Sequence, residues 1–178
     1  MKTIFSLFIA IAIAIAVSGC SSIADTRYSM ANNHMNQISN IEEISPGALT
    51  EINDAPGFAV FSTAEVNLLV VSTGTGHGAV YNNETGERTY MDVFESGVGV
   101  GIGGKDVNTI LVFNTIESLE KFTEEGWIFD NEVDASGNGS IVNGEEIGDI
   151  TLYQSTKTGV NLHAMLKGTR FSKSEHLN

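Results

Sequence analysis

Gly97-Val98-Gly99-Val100-Gly101-Ile102-Gly103-Gly104 alternates glycine with a β-branched residue at a period of two. In a strand this period puts Gly97, Gly99, Gly101 and Gly103 on one face, and Val98, Val100 and Ile102 on the other. Glycines weaken a strand through backbone entropy, so the bare face predicts a close approach by a helix, another backbone or a ligand. These four glycines are the candidate ligand-approach strand. The stretch also contains Gly99-x-Gly101-x-x-Gly104, the spacing of a dinucleotide-binding turn. That turn needs a helix opening at its last glycine. Here Lys105-Asp106 leads into Val107 to Phe113, which reads as another strand, so nucleotide binding is not expected.

Outward from this segment the chain keeps a sheet-like texture. Phe58 to Phe61 and Leu68 to Val71 are short apolar runs that predict buried strands. Gly78 to Tyr81 and Thr89 to Val93 flank the turn-rich Asn82 to Glu87, a hairpin signal. Thr109 to Phe113, Ile150 to Tyr153 and Val160 to Leu166 read as further strands, and Asp130 to Glu146 as a polar, Gly-rich loop. Thr115 has the character of an N-cap, and Ile116, Leu119 and Phe122 share one helical face, which predicts a helix from Ile116 to Glu125. Toward the N-terminus, a tether over Ser21 to Arg27 is expected. It leads into a weak helix over Tyr28 to Ile44, and Ser45-Pro46 opens a short helix from Pro46 to Ile52. Short connections favour antiparallel pairing. The expected fold class is α+β: a predominantly antiparallel β-sheet, as a curved sheet or partial barrel, with an N-terminal helical segment and one amphipathic helix near 115–125.

The 178 residues suit one domain, and 42% hydrophobic against 17% charged residues is a globular composition. Cys20 is the one cysteine, which rules out an internal disulfide. Lys2 followed by the apolar run Ile4 to Val17 reads as a signal peptide, too short to span a bilayer comfortably. Val17-Ser18-Gly19-Cys20 resembles the bacterial lipobox. The expected domains are a lipoprotein signal peptide at 1–19, a lipidated tether with a weak helix at 20–45, and the folded domain at 46–178. Acyl chains of the palmitate class on Cys20 would hold the protein on a membrane. Ser21, by resemblance to enterobacterial sorting, implies the outer membrane, facing the periplasm. Removing residues 1–19 takes away Lys2 and no acid, leaving 8 basic against 22 acidic residues, a net of −14. That field repels nucleic acid, and no nucleic-acid partner is expected.

Asp134 to Glu145 matches the spacing of a calcium loop. Asp134, Ser136 and Asn138 fall at positions one, three and five, Gly139 at six and Glu145 at twelve. The flanks read as strands, and Asp, Asn, Ser and Gly also gather in ordinary turns. Calcium is therefore a minor candidate, and no other cofactor is expected. The histidines are His34, His77, His163 and His176, and no two have helical metal spacing. His77, between Gly76 and Gly78, is a candidate cleft residue. No nucleophile elbow is present, and no enzymatic activity is expected.

Ala55-Pro56-Gly57-Phe58-Ala59-Val60-Phe61, Val66-Asn67-Leu68-Leu69-Val70 and Gly74-x-Gly76-His77-Gly78 together resemble the core opening of SYLF-domain proteins. The resemblance continues through Thr89-Tyr90-Met91, the glycine strand with Lys105-Asp106, Leu119-x-x-Phe122 and Gly126-Trp127-x-Phe129. It closes with Thr158-Gly159-Val160-x-Leu162 and Gly168-Thr169-Arg170-Phe171, covering about residues 46–178. It implies a lipid-binding domain, often carried by a bacterial lipoprotein. The chain departs from the family at Phe61-Ser62, where many members have Phe-Pro, and in offering Arg27 alone as an N-terminal base. The expected function is a membrane-anchored periplasmic lipoprotein that binds a lipid or apolar ligand. The alternative is a structural or protein-interaction lipoprotein whose partner is an envelope protein.

Overall fold

The computed structural model describes residues 22–136, 141–156 and 162–178. In chain order these form α1 (Ile23–Ile44), α2 (Ala48–Asp54), β1 (Gly57–Asn82), β2 (Arg88–Phe113), α3 (Ile116–Glu125), β3 (Trp127–Ser136), β4 (Ile141–Ile147), β5 (Ile150–Thr156) and β6 (Leu162–Lys173). Every strand pairing is antiparallel, so the class is α+β with an antiparallel sheet, as the sequence predicts.

The organising element is one long hairpin. β1 and β2 have 26 residues each and pair from Tyr81 opposite Arg88 to Gly57 opposite Phe113. The Asn82 side chain makes the turn by accepting from the Glu84 and Thr85 N–H groups, both at 2.9 Å, and Gly86 takes φ +73°. A short amide that bonds its own turn backbone favours such a corner. β1 covers one edge of β2. The other edge is shared end to end: β6 pairs with Met91–Ile102 and β5 with Val107–Phe113. β3 then extends β6, and β4 extends β5. Two four-stranded leaves thus hang on the same two strands.

Between the leaves the hairpin slips. Leu69 pairs with Gly101 and Val71 with Val98, so Gly99 and Val100 together face Val70. The buried row of β1 switches from Ala59, Phe61, Thr63, Glu65 and Asn67 to Ser72, Gly74, Gly78 and Val80. A one-residue irregularity reverses which side chains point inward. The leaves then fold over each other. A Cβ on Gly57, Gly76 or Gly78 would lie under 3.0 Å from the carbonyl oxygen of Tyr81, Ser62 or Val60, respectively. The second half of β1 therefore returns along the first.

The inner core joins Phe61, Met91, Phe113 and Phe171 to Leu119 and Phe122 of α3. α3 is held as the sequence predicts: the Thr115 hydroxyl accepts from the Ser118 N–H at 3.2 Å, and Gly126 ends the helix at φ +72°. A second cluster covers the outer face, where Val60, Ile110, Val112 and Tyr153 meet Ile41 of α1 and Ala48 and Ile52 of α2.

Several expectations are corrected. The predicted tether is helical from Ile23, because the Ser22 hydroxyl accepts from the Asp25 N–H at 3.1 Å while the Asp25 carboxylate accepts from Ser22 N–H at 3.3 Å. Ser45 ends α1, donating its N–H to Ile41 O, and Gly47, with φ +102°, precedes α2 in place of the predicted Ser45 cap. The separate strands predicted at Phe58 and Leu68 are one strand, and Leu68 to Val71 are exposed, not buried. Most of the predicted loop over Asp130 to Glu146 is strand, in β3 and β4; residues 137–140 lie outside the described residues.

Candidate functional site: an apolar tip over a polar interior

Where the hairpin slips, the usual sidedness of a sheet is inverted. Val66, Leu68, Leu69, Val70, Val71 and Val98 are between 47% and 66% exposed. Beneath them Glu65, Asn67, Ser72, Glu95 and Lys105 are buried. Glu65 and Lys105 are register partners, with Nζ to Oε2 at 3.5 Å, and Ser72 donates to Glu65 Oε1 at 3.2 Å. Gly74, opposite Glu95, leaves space for that carboxylate, which a Cβ would meet under 3.0 Å away. The Asn67 amide is 1% exposed and finds no hydrogen-bond partner among the described residues.

This arrangement opposes stability in water on both sides. Burying charge and amide groups costs several kcal/mol unless they are well paired. A contiguous exposed patch of this kind, on the order of several hundred Å², is uncommon on a protein that stays in water. Leu69 adds to it. Its φ of +56° lies in the left-handed region, which costs an L-residue with a Cβ roughly 1–2 kcal/mol. A strained leucine turned to solvent contributes little to the fold, and strain of this kind marks functional positions.

The glycine strand is the middle of β2. In this strand the buried Glu95 and Lys105 flank the glycine run on either side. Gly97 stands opposite Ser72, Gly101 opposite Leu69 and Gly103 opposite Asn67. Tight backbone approaches lie at Gly76 and Gly78 of β1, which a Cβ would bring under 3.0 Å from Ser62 O and Val60 O. Gly74-x-Gly76-x-Gly78 has the same period-two signature and could have revealed them.

His77 is exposed on the outer face, opposite Asp92, and lines a polar cleft beside α1. The calcium-like residues do not share one loop: Asp134 and Ser136 are in β3, paired with Met165 and His163, and Glu145 is in β4, opposite Leu152. Asn138 and Cys20 lie outside the described residues. Among the described residues no group of three or more His, Cys, Asp or Glu could hold a metal ion, and no helix is long and apolar enough to cross a membrane.

Sequence reasoning missed the joint between α1 and the sheet. His34 Nδ1 is 2.7 Å from Tyr81 Oη, the rings meet edge-on, and Phe58 stacks on Tyr81 at 4.8 Å. Burial, then the charges of His77 and Arg88, lower the His34 pKa to about 4, so the ring is neutral at neutral pH. Burial raises Tyr81 to about 12. Arg27 is also committed: its guanidinium donates twice to Leu177 O, at 2.9 and 2.6 Å, and lies over the Tyr90 ring.

No known family profile matches the chain. Beta cell expansion factor A of Aeromonas veronii is 30% identical over 134 residues, which is 71% of this chain and 49% of that protein. Over most of its own length this chain is therefore similar to a protein of which it spans about half.

Proposed function

We propose that this protein is a lipid-binding module, anchored through acylated Cys20 in the outer membrane and facing the periplasm, whose contact with lipid is the apolar tip at Val66 to Val71 and Val98. The observation that carries this reading is the inverted sidedness of the hairpin at its bend. Apolar-out and polar-in is the pattern of β-structure that meets lipid, because hydrocarbon replaces water on the outer side. The strained Leu69 supports it, since only an apolar neighbour makes that exposed side chain favourable. The resemblance of residues 46–178 to SYLF-domain proteins agrees with it.

The contact is apolar and not electrostatic. The one Lys or Arg of residues 20–45, Arg27, is occupied by Leu177 O, and the net charge of −14 left once residues 1–19 are removed opposes anionic headgroups. Vesicle flotation of the mature chain carrying Cys20→Ser separates tip binding from the anchor. Binding to phosphatidylcholine vesicles that persists at high salt, and weakens when phosphatidylglycerol is added, is the expected result. Protein left wholly in the soluble fraction with both compositions would overturn the reading and favour an envelope-protein partner.

A further inference from the structure

A cleft of about 560 Å³ lies on the outer face, between α1 and the place where the two halves of β1 meet. That volume is ordinary for a small-molecule site. Asn33 and Gln37, one helical turn apart on α1, line one side. Ser62 and its register partner Asn108 line the other, with Asp106 beside them and His77 on the returning half of β1. Gly76 forms part of the wall. A Cβ on it would lie under 3.0 Å from Ser62 O, so only glycine lets the two halves of β1 close the wall.

Gln37 points to a ligand. It is 4% exposed, its Nε2 donates to Ser62 Oγ at 2.6 Å, and its Oε1 has no partner among the described residues. Turning the amide over would leave Nε2 unmatched instead. Either way, a half-satisfied buried amide, which costs about 1–3 kcal/mol, is kept at the cleft.

The lining selects the chemistry. Amides and hydroxyls each donate and accept, and Asp106 accepts. No Lys or Arg is among the described lining residues, so an anion would meet the Asp106 carboxylate with His77 alone among them able to carry a positive charge. A wholly apolar molecule would leave the Gln37 Oε1 unmatched. A ligand bearing several neutral hydroxyls, each both donor and acceptor, satisfies the set. We propose that this cleft binds a neutral sugar ring, with Gln37 as its buried anchor and Asp106 accepting from a ring hydroxyl. The site shares no residue with the apolar tip and does not depend on the lipid reading.

The test is saturation-transfer NMR on the full chain, in a detergent without sugar headgroups, using glucose and N-acetylglucosamine as probes and inorganic phosphate as the contrasting anion. At least one sugar should receive saturation, and 31P line widths of phosphate should not change. Asp106→Asn, at the exposed rim, should weaken sugar binding about tenfold, the loss of one charge-assisted hydrogen bond. Gln37→Leu should weaken it at least as much. No transfer to either sugar, transfer unchanged in Asp106→Asn, or broadening of phosphate would each overturn the proposal. Should Gln37→Leu fold poorly, Asp106→Asn alone decides.

Discussion

The carbonyl oxygen of Val60 occupies the place where a side chain on Gly78 would begin, although both residues belong to β1. Gly76 stands in the same relation to Ser62. Gly78→Ala should therefore force the two halves of the strand apart. A loss of roughly 3 kcal/mol is expected, at the upper end of overpacking in a core. Gly86→Ala is the comparison: it has φ +73° but open space, so only backbone strain of about 1 kcal/mol applies. Urea denaturation of both variants checks the ranking, and equal losses would refute the account of the fold-over.

Leu69→Asn separates stability from lipid contact. Asn tolerates the left-handed conformation better than Leu, so the variant should be as stable as the parent or more stable by about 1 kcal/mol. It also removes an apolar side chain from the tip. Vesicle binding should fall several-fold while the melting temperature holds or rises. Undiminished binding would mean that the tip is not the lipid contact.

Glu65 and Lys105 predict strong non-additivity. Lys105→Met leaves a carboxylate buried without its cation and should cost about 3 kcal/mol or more. The double variant Glu65→Leu, Lys105→Met should recover most of that loss, because a pair of apolar side chains carries no desolvation penalty. A double-mutant cycle in thermal unfolding reads the coupling directly. Losses that simply add would show the pair to be energetically independent.

His34 makes the joint between α1 and the sheet sensitive to acid. The folded state keeps it neutral down to about pH 4, whereas the unfolded chain takes up the proton near 6.5. Between these values the unfolded state binds more protons, so stability falls as pH drops through the window, by up to about 3 kcal/mol. His34→Gln can still bond Tyr81 but does not titrate. The difference in unfolding free energy between parent and variant should shrink or reverse from pH 7 to pH 5. A difference independent of pH would remove His34 as the source.

Local signals were legible in the sequence. The turn at Asn82 to Glu87 and the helix from Thr115 to Gly126 follow from caps, turn residues and apolar spacing, all within a few residues. Long-range geometry was not. Leu68 to Val71 is apolar enough to predict burial, yet nothing within four residues tells which side of a slipped strand it will face. Ser22 and Asp25 form a capping box, a signature that stands in the sequence although the polar run around it predicts a tether. The buried Glu65 and Lys105 were silent because each looks like a surface charge until the register brings them together. A period-two glycine pattern is legible as a demand for space, and on β1 Gly76 and Gly78 meet backbone.

The pairing of β1 with β2 has a kinetic side. From the turn at Asn82 the ladder grows one rung at a time, and each new pair lies next to the last, so almost no additional loop entropy is spent until the strands are complete. Sheets with distant partners fold slowly because large loops must close first. Here the search is confined to the later docking of β5 and β6 onto the open edge of β2, after a template of 26 residues is already in place. The rung at Leu69 is where the register of the two strands changes step, and zipping from the turn is expected to order the half from Val71 onward before the half that carries Phe58 and Phe113.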